Sequence, residues 1–111
     1  MATVRELMDL ARAKIDDDRA QAGTLNAVYK FVLEGDDGGT FLVNMMDDPG
    51  ITETDGDAQC VIKMNAADFV ELVESRADAR QYLFMGKLRI DGNVGMAIKL
   101  RKFTDMFRDD E

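Results

Sequence analysis

Histidine and tryptophan are missing from this 111-residue chain, and cysteine and proline occur once each. Serine, too, is found only at Ser75. Without histidine, neither a Ser-His-Asp nor a Cys-His nucleophile can be assembled within the chain. Zinc and most iron centres lose their commonest ligand for the same reason. The lone Cys60 excludes an internal disulfide, and in the apolar run Cys60-Val61-Ile62 it reads as a small buried thiol suited to the reducing cytosol. No apolar run approaches the ~18–20 residues of a membrane span. Arg5, Glu6 and Asp9 interrupt the N-terminal segment, so a secretory signal is not expected either. Positive charge is scarce as well. Fourteen Lys and Arg face 22 Asp and Glu, and the net charge of −8 turns the chain away from nucleic acid as a partner. The expectation is a cytoplasmic chain forming a single domain over residues 1–111.

What is present is an ordinary globular balance, 46% hydrophobic and 32% charged. Val4, Leu7, Met8, Ala11 and Ile15 recur at helical spacing and predict a helix from about Thr3 to Ala20, with Thr3 and Glu6 as a capping box. Tyr29, Phe31 and Leu33 then alternate with more polar neighbours, as do Phe41, Val43 and Met45, which predicts two strands. Gly35-Asp36-Asp37-Gly38-Gly39 reads as the hairpin loop between them, its glycines free to take positive φ. Asp48-Pro49-Gly50 suggests a type II turn. A third strand at Ile51–Thr54 and a fourth at Ala58–Met64 would continue an antiparallel meander. Asn65 can cap a helix from Ala66 to Ser75, and Asp78 a short helix carrying Tyr82, Leu83 and Met85 and ending at Gly86. Lys87–Asp91 reads as a fifth strand, and Val94 to Phe107 as a last helix. The fold class is α+β, with helices packed on one face of a largely antiparallel sheet.

Catalysis finds little support. Carboxylates are abundant, but Asp36, Asp37, Asp47, Asp48, Asp55 and Asp57 sit in turns, where Asp is favoured for backbone hydrogen bonding. Asp55-Gly56-Asp57 lacks calcium-loop spacing, and the glycines match no phosphate-binding fingerprint. No catalytic residue, metal or cofactor is expected. The charge, however, is uneven. Residues 1–55 hold 5 basic and 12 acidic side chains, whereas residues 79–108 hold 7 basic and 2 acidic ones.

The stretch from Phe84-Met85-Gly86-Lys87-Leu88 through Arg89-Ile90-Asp91-Gly92-Asn93 to Gly95-Met96-Ala97-Ile98-Lys99-Leu100 resembles the terminal signature of the sterol carrier protein lipid-transfer domain. Upstream, Ala58–Met64 and Ala67-Asp68-Phe69-Val70-Glu71-Leu72 resemble that family's fourth strand and following helix, with Gln59 where the family often carries Asp. The resemblance spans roughly Ala27 to Phe107. It implies a five-stranded sheet roofed by helices, with an apolar cavity between that takes fatty acids, fatty acyl-CoA, phospholipids or sterols without a cofactor and without chemistry.

On that reading Phe31, Phe41, Val43 and Ile62 line the cavity from the sheet, and Phe69 and Leu72 from the middle helix. Met85, Met96, Leu100, Phe103, Met106 and Phe107 form its roof, the final helix acting as lid or wall. Eight methionines suit such a site, because unbranched thioethers adapt to ligands of varied shape. The same residues can equally fill a solid core. Lys87, Arg89, Lys99, Arg101 and Lys102 would meet a carboxylate, a CoA phosphate or an anionic membrane surface; the alternative is solvated faces and compensation of a helix dipole. The alternative function is a protein-interaction module or accessory subunit that uses the apolar face for a partner or a homodimer.

Overall fold

The chain first commits to structure at Thr3. The Thr3 hydroxyl accepts from the Glu6 amide at 3.1 Å, and Glu6 Oε1 accepts from the Thr3 amide at 2.9 Å. This reciprocal capping box satisfies two amides that a helix start leaves without intrahelical partners. The computed structural model describes residues 3–17, 26–46, 48–74 and 79–92. The helix so capped, α1, runs Val4–Asp17 and buries the expected stripe of Val4, Leu7, Met8, Ala11 and Ile15.

Five strands form one sheet: β1 Ala27–Glu34, β2 Gly39–Met45, β3 Gly50–Thr52, β4 Cys60–Asn65 and β5 Leu88–Gly92, in the order β3-β2-β1-β4-β5. Two further helices, α2 (Ala66–Glu74) and α3 (Ala79–Phe84), lie between β4 and β5 in the chain. Asn65 caps α2 as its sequence position predicts, Oδ1 accepting from the Ala67 amide at 2.9 Å.

The expected meander is corrected at β4. It pairs with β1, in parallel, and not with β3; the other three pairings are antiparallel. Alternation assigns each side chain to a face and says nothing about which strand lies next door. Strand β3 pairs over only three residues, and the chain then returns across the outer face of the sheet through residues 53–59. That crossing is held by an ion pair from Lys30 Nζ to Asp55 at 2.9 Å, and by Gly56, where an added Cβ would lie 2.7 Å from Leu42 Cδ1. Gln59 finishes it: its amide donates to the Val28 carbonyl at 3.1 Å, while its Oε1 accepts from the Val28 amide at 2.7 Å. A strand entered after such a return runs parallel to its neighbour.

Two turns also differ from expectation. Gly50 does not take positive φ and instead opens β3 opposite Asn44, so no type II turn centres on Pro49-Gly50. In the β1–β2 loop, positive φ falls on Gly35 and on Asp37, not on Gly38 or Gly39. Asp37 tolerates φ 64° because its carboxylate is employed: Oδ2 accepts from the Val4 amide at 2.7 Å, and Oδ1 pairs with Arg5 at 3.1 Å. The hairpin therefore helps to cap α1. Arg12 Nε donates to the Ile51 carbonyl at 3.1 Å, tying the same helix to edge strand β3.

Candidate functional site

The inner face of the sheet is built in rows, because paired residues in neighbouring strands point the same way. One row runs Phe41, Phe31, Ile62 and Ile90; the next runs Ile51, Val43, Tyr29 and Cys60; a third holds Leu33, Met64 and Leu88. All are buried except Ile90, which is half-buried against them. Helix α2 lays Phe69, Val70, Leu72 and Val73 into the same core. The Phe69 ring meets Phe31 edge-on, centroids 5.7 Å apart at 69°, a favoured aromatic geometry. Four expected lining residues, Phe31, Phe41, Ile62 and Phe69, are thus gathered around one row, with Val43 in the row beside it and Leu72 buried on α2. Arg5 crosses the Phe41 end of that row, its guanidinium 5.8 Å from the ring centroid and 2.6 Å from Glu53.

The titratable groups on this face are Tyr29 and Cys60, register partners across β1 and β4. Burial pushes the Tyr29 phenol up to about 12, with Cys60 adding to the effect. Burial also pushes the Cys60 thiol up, and Asp91 reinforces it. Both stay neutral near pH 7, so neither serves as a base or an activated nucleophile there. Cys60 is buried, as its apolar run implies. Among the described residues, no three His, Cys, Asp or Glu side chains gather as metal ligands. What these rows supply is contiguous apolar surface.

Other expected residues are placed elsewhere. Met85, expected in the roof, is 63% exposed. Helix α3 ends in a Schellman motif, the Lys87 amide donating to the Tyr82 carbonyl at 2.9 Å and the Gly86 amide to the Leu83 carbonyl at 3.2 Å. Gly86 takes φ 76° to close it, and the reversal leaves Phe84 and Met85 outside. Arg89 alternates with buried Leu88 and half-buried Ile90, so it lies on the outer face, opposite Lys63 and away from the apolar rows. Lys87 is exposed, its Nζ 5.6 Å from the Tyr82 ring centroid. Met96, Leu100, Phe103, Met106 and Phe107, together with Lys99, Arg101 and Lys102, lie outside the described residues, as does the whole expected final helix.

Sequence reasoning missed the anchoring of α3. Buried Tyr82 donates its hydroxyl to Glu71 Oε1 on α2. Tyr82 reads from sequence as one more apolar helical position, and no local signal names a partner 11 residues upstream.

Known proteins share this arrangement. A solved structure of sterol carrier protein 2 from Yarrowia lipolytica, in its apo form, superimposes with a TM-score of 0.77 at 23% identity, over 93% of this chain and 90% of that one. The solution structure of Aedes aegypti sterol carrier protein 2 in complex with palmitate does so with a TM-score of 0.73 at 16% identity, over 91% and 93%. Among curated sequences, the hydroxysteroid dehydrogenase-like protein 2 of Bos taurus is 33% identical over 105 residues, and that of Homo sapiens 32%. The chain spans about a quarter of the length of these curated relatives. The family model for SCP-2 sterol transfer matches residues 6–105, and the chain belongs to that family.

Proposed function

We propose that this protein binds and carries a long-chain acyl lipid, a fatty acid or fatty acyl-CoA, against the apolar inner face of its sheet, without catalysing a reaction. The observation that carries this reading is the row of Phe41, Phe31 and Ile62 under Phe69. It presents adjoining apolar side chains, with no charged group in the row, in a fold shared with a palmitate-bound carrier. Such a surface recognises an acyl chain by area and shape, and the polar end of the ligand then decides selectivity. Tyr29 and Cys60, both held in their neutral forms, leave the sheet rows around them without charge, which suits an acyl chain. Among the described residues no helix is long and apolar enough to cross a membrane, which is compatible with a cytoplasmic carrier.

Native mass spectrometry of protein purified from cells, followed by denaturing extraction, tests this directly. The expected result is a co-purifying fatty acyl species, or stoichiometric displacement of a fluorescent fatty acid by palmitate. Folded protein that carries no lipid and takes up no acyl probe would overturn it.

A further inference from the structure

The row of Phe41, Phe31, Ile62 and Ile90 has two unlike ends. At one, Ile90 on β5 is half-buried, whereas the other three residues are buried. At the other, the β2–β3 ladder ends at Leu42–Thr52, one residue short of Phe41. The next residue, Glu53, stands where a further apolar partner would have extended the row, and its Oε2 accepts from Arg5 at 2.6 Å.

Arg5 occupies that end. Its guanidinium lies 5.8 Å from the Phe41 ring centroid, pairs with Asp37 at 3.1 Å and donates to the Gly38 carbonyl at 3.3 Å. Gly39 leaves the room for this junction. A Cβ there would lie 3.2 Å from Glu53 Oε2, 3.3 Å from Phe41 Cε1 and 3.5 Å from Arg5 Nη2. A cation held across an aromatic face blocks an apolar chain, because a methyl group advancing past Phe41 would strip water and partners from a charge. One cation beside two carboxylates also disfavours a ligand carboxylate at this end.

Resting on the acyl-carrier reading, we infer that Arg5 is the stop that sets the length of acyl chain the inner face accepts. The methyl end meets the guanidinium and the carboxylate lies past Ile90. Three strand spacings separate Phe41 from Ile90, about 14 Å. An extended acyl chain advances about 1.25 Å per carbon, so about 11 carbons lie along the row.

Displacement of a fluorescent fatty acid by straight-chain acids from decanoate to eicosanoate tests the stop. In the parent, affinity is expected to rise about fourfold per added methylene and to level off at about 14 carbons. Arg5→Met removes the charge and keeps an apolar stem, and Arg5 is 47% exposed, so the variant is expected to fold. Its affinity is expected to keep rising, with eicosanoate bound about tenfold more tightly than by the parent. Glu53→Gln leaves the guanidinium held by Asp37 and the Gly38 carbonyl, and is expected to level off where the parent does. Affinity that climbs through eicosanoate in the parent, or the parent's levelling in Arg5→Met, would overturn the stop. So would an equal shift in Glu53→Gln, because a loosened lip and not the guanidinium would then set the length. A parent that takes up no fatty acid at all would instead overturn the carrier reading, and the stop with it.

Discussion

Phe31 and Phe84 are the same residue type in opposite situations. Phe31 is 2% exposed, sharing a row with Phe41 and Ile62 beneath Phe69, whereas Phe84 is 91% exposed at the end of a six-residue helix. What separates them is the backbone around each. Strand β1 is enclosed by β2 and β4, so every second residue must face the helices. Helix α3 is tied down at Tyr82 and ends two residues later, so the side chains beyond that anchor point outward. An apolar side chain is a core residue only if its element has a neighbour on that side.

That contrast breaks most visibly under alanine. Phe31→Ala is expected to cost about 3–5 kcal/mol, through lost transfer energy and the cavity left beneath Phe69. Phe84→Ala is expected to change stability by no more than about 0.5 kcal/mol. Paired urea titrations read both, and similar losses would show that Phe84 packs in solution.

A smaller effect sharpens the interior side. Tyr29 has its pKa raised from 10.0 to about 12, so the folded state favours the neutral phenol. That contribution is fully present below pH 10.0 and disappears as pH rises through about 12. Stability measured over this window should fall by roughly 2–3 kcal/mol more in the parent than in Tyr29→Phe. Parallel curves would mean that Tyr29 ionises without cost to the fold.

The lip of the apolar face, where the β1–β2 loop meets α1, comes next. Asp37→Ala removes the acceptor for the Val4 amide and the pair with Arg5, and places alanine at φ 64°. A loss of about 1–2 kcal/mol is expected, with Asp37→Asn recovering part of it, as thermal melts would show. An unchanged melting temperature in the alanine variant would mean that the loop does not support the helix.

The smallest effect lies on the outer face. The Lys30 ammonium, followed by the Gly56 amide, holds the Asp55 carboxyl below its ordinary value of 3.8. Its contribution is therefore present above 3.8 and is lost as pH falls through the lowered value. Because the pair is solvent-facing, Asp55→Asn should lower stability only slightly above pH 3.8 and converge with the parent as pH falls through the lowered value. A change at neutral pH larger than the Asp37 effect would show that the crossing loop matters more than its exposure suggests.

Much of this was legible in the residues because it is local. Thr3 with Glu6, Asn65 before α2 and Gly86 after α3 each announce a helix end through bonds within a few positions. The buried stripe of α1 and the alternating faces of β1 and β2 follow from the periods of helix and strand. The resemblance around Gly86–Gly95 pointed to the family that the match over residues 6–105 establishes. The residues expected to line a cavity from the sheet could be assigned to its inner face because alternation marks that face. Met85 lies exposed beyond the end of α3, and a helical stripe does not reveal where its helix stops.

The sequence by itself determined which residues could be apolar partners, where helices begin and end, and that no histidine-based chemistry is available. Those properties depend on side-chain type and short-range spacing. Only the tertiary structure decided that β4 lies parallel beside β1, that Asp37 caps a helix 33 residues away, and that Tyr82 finds Glu71. These contacts depend on which elements become neighbours once the chain crosses the sheet, and that choice minimises exposed apolar area over the whole molecule rather than along any one segment.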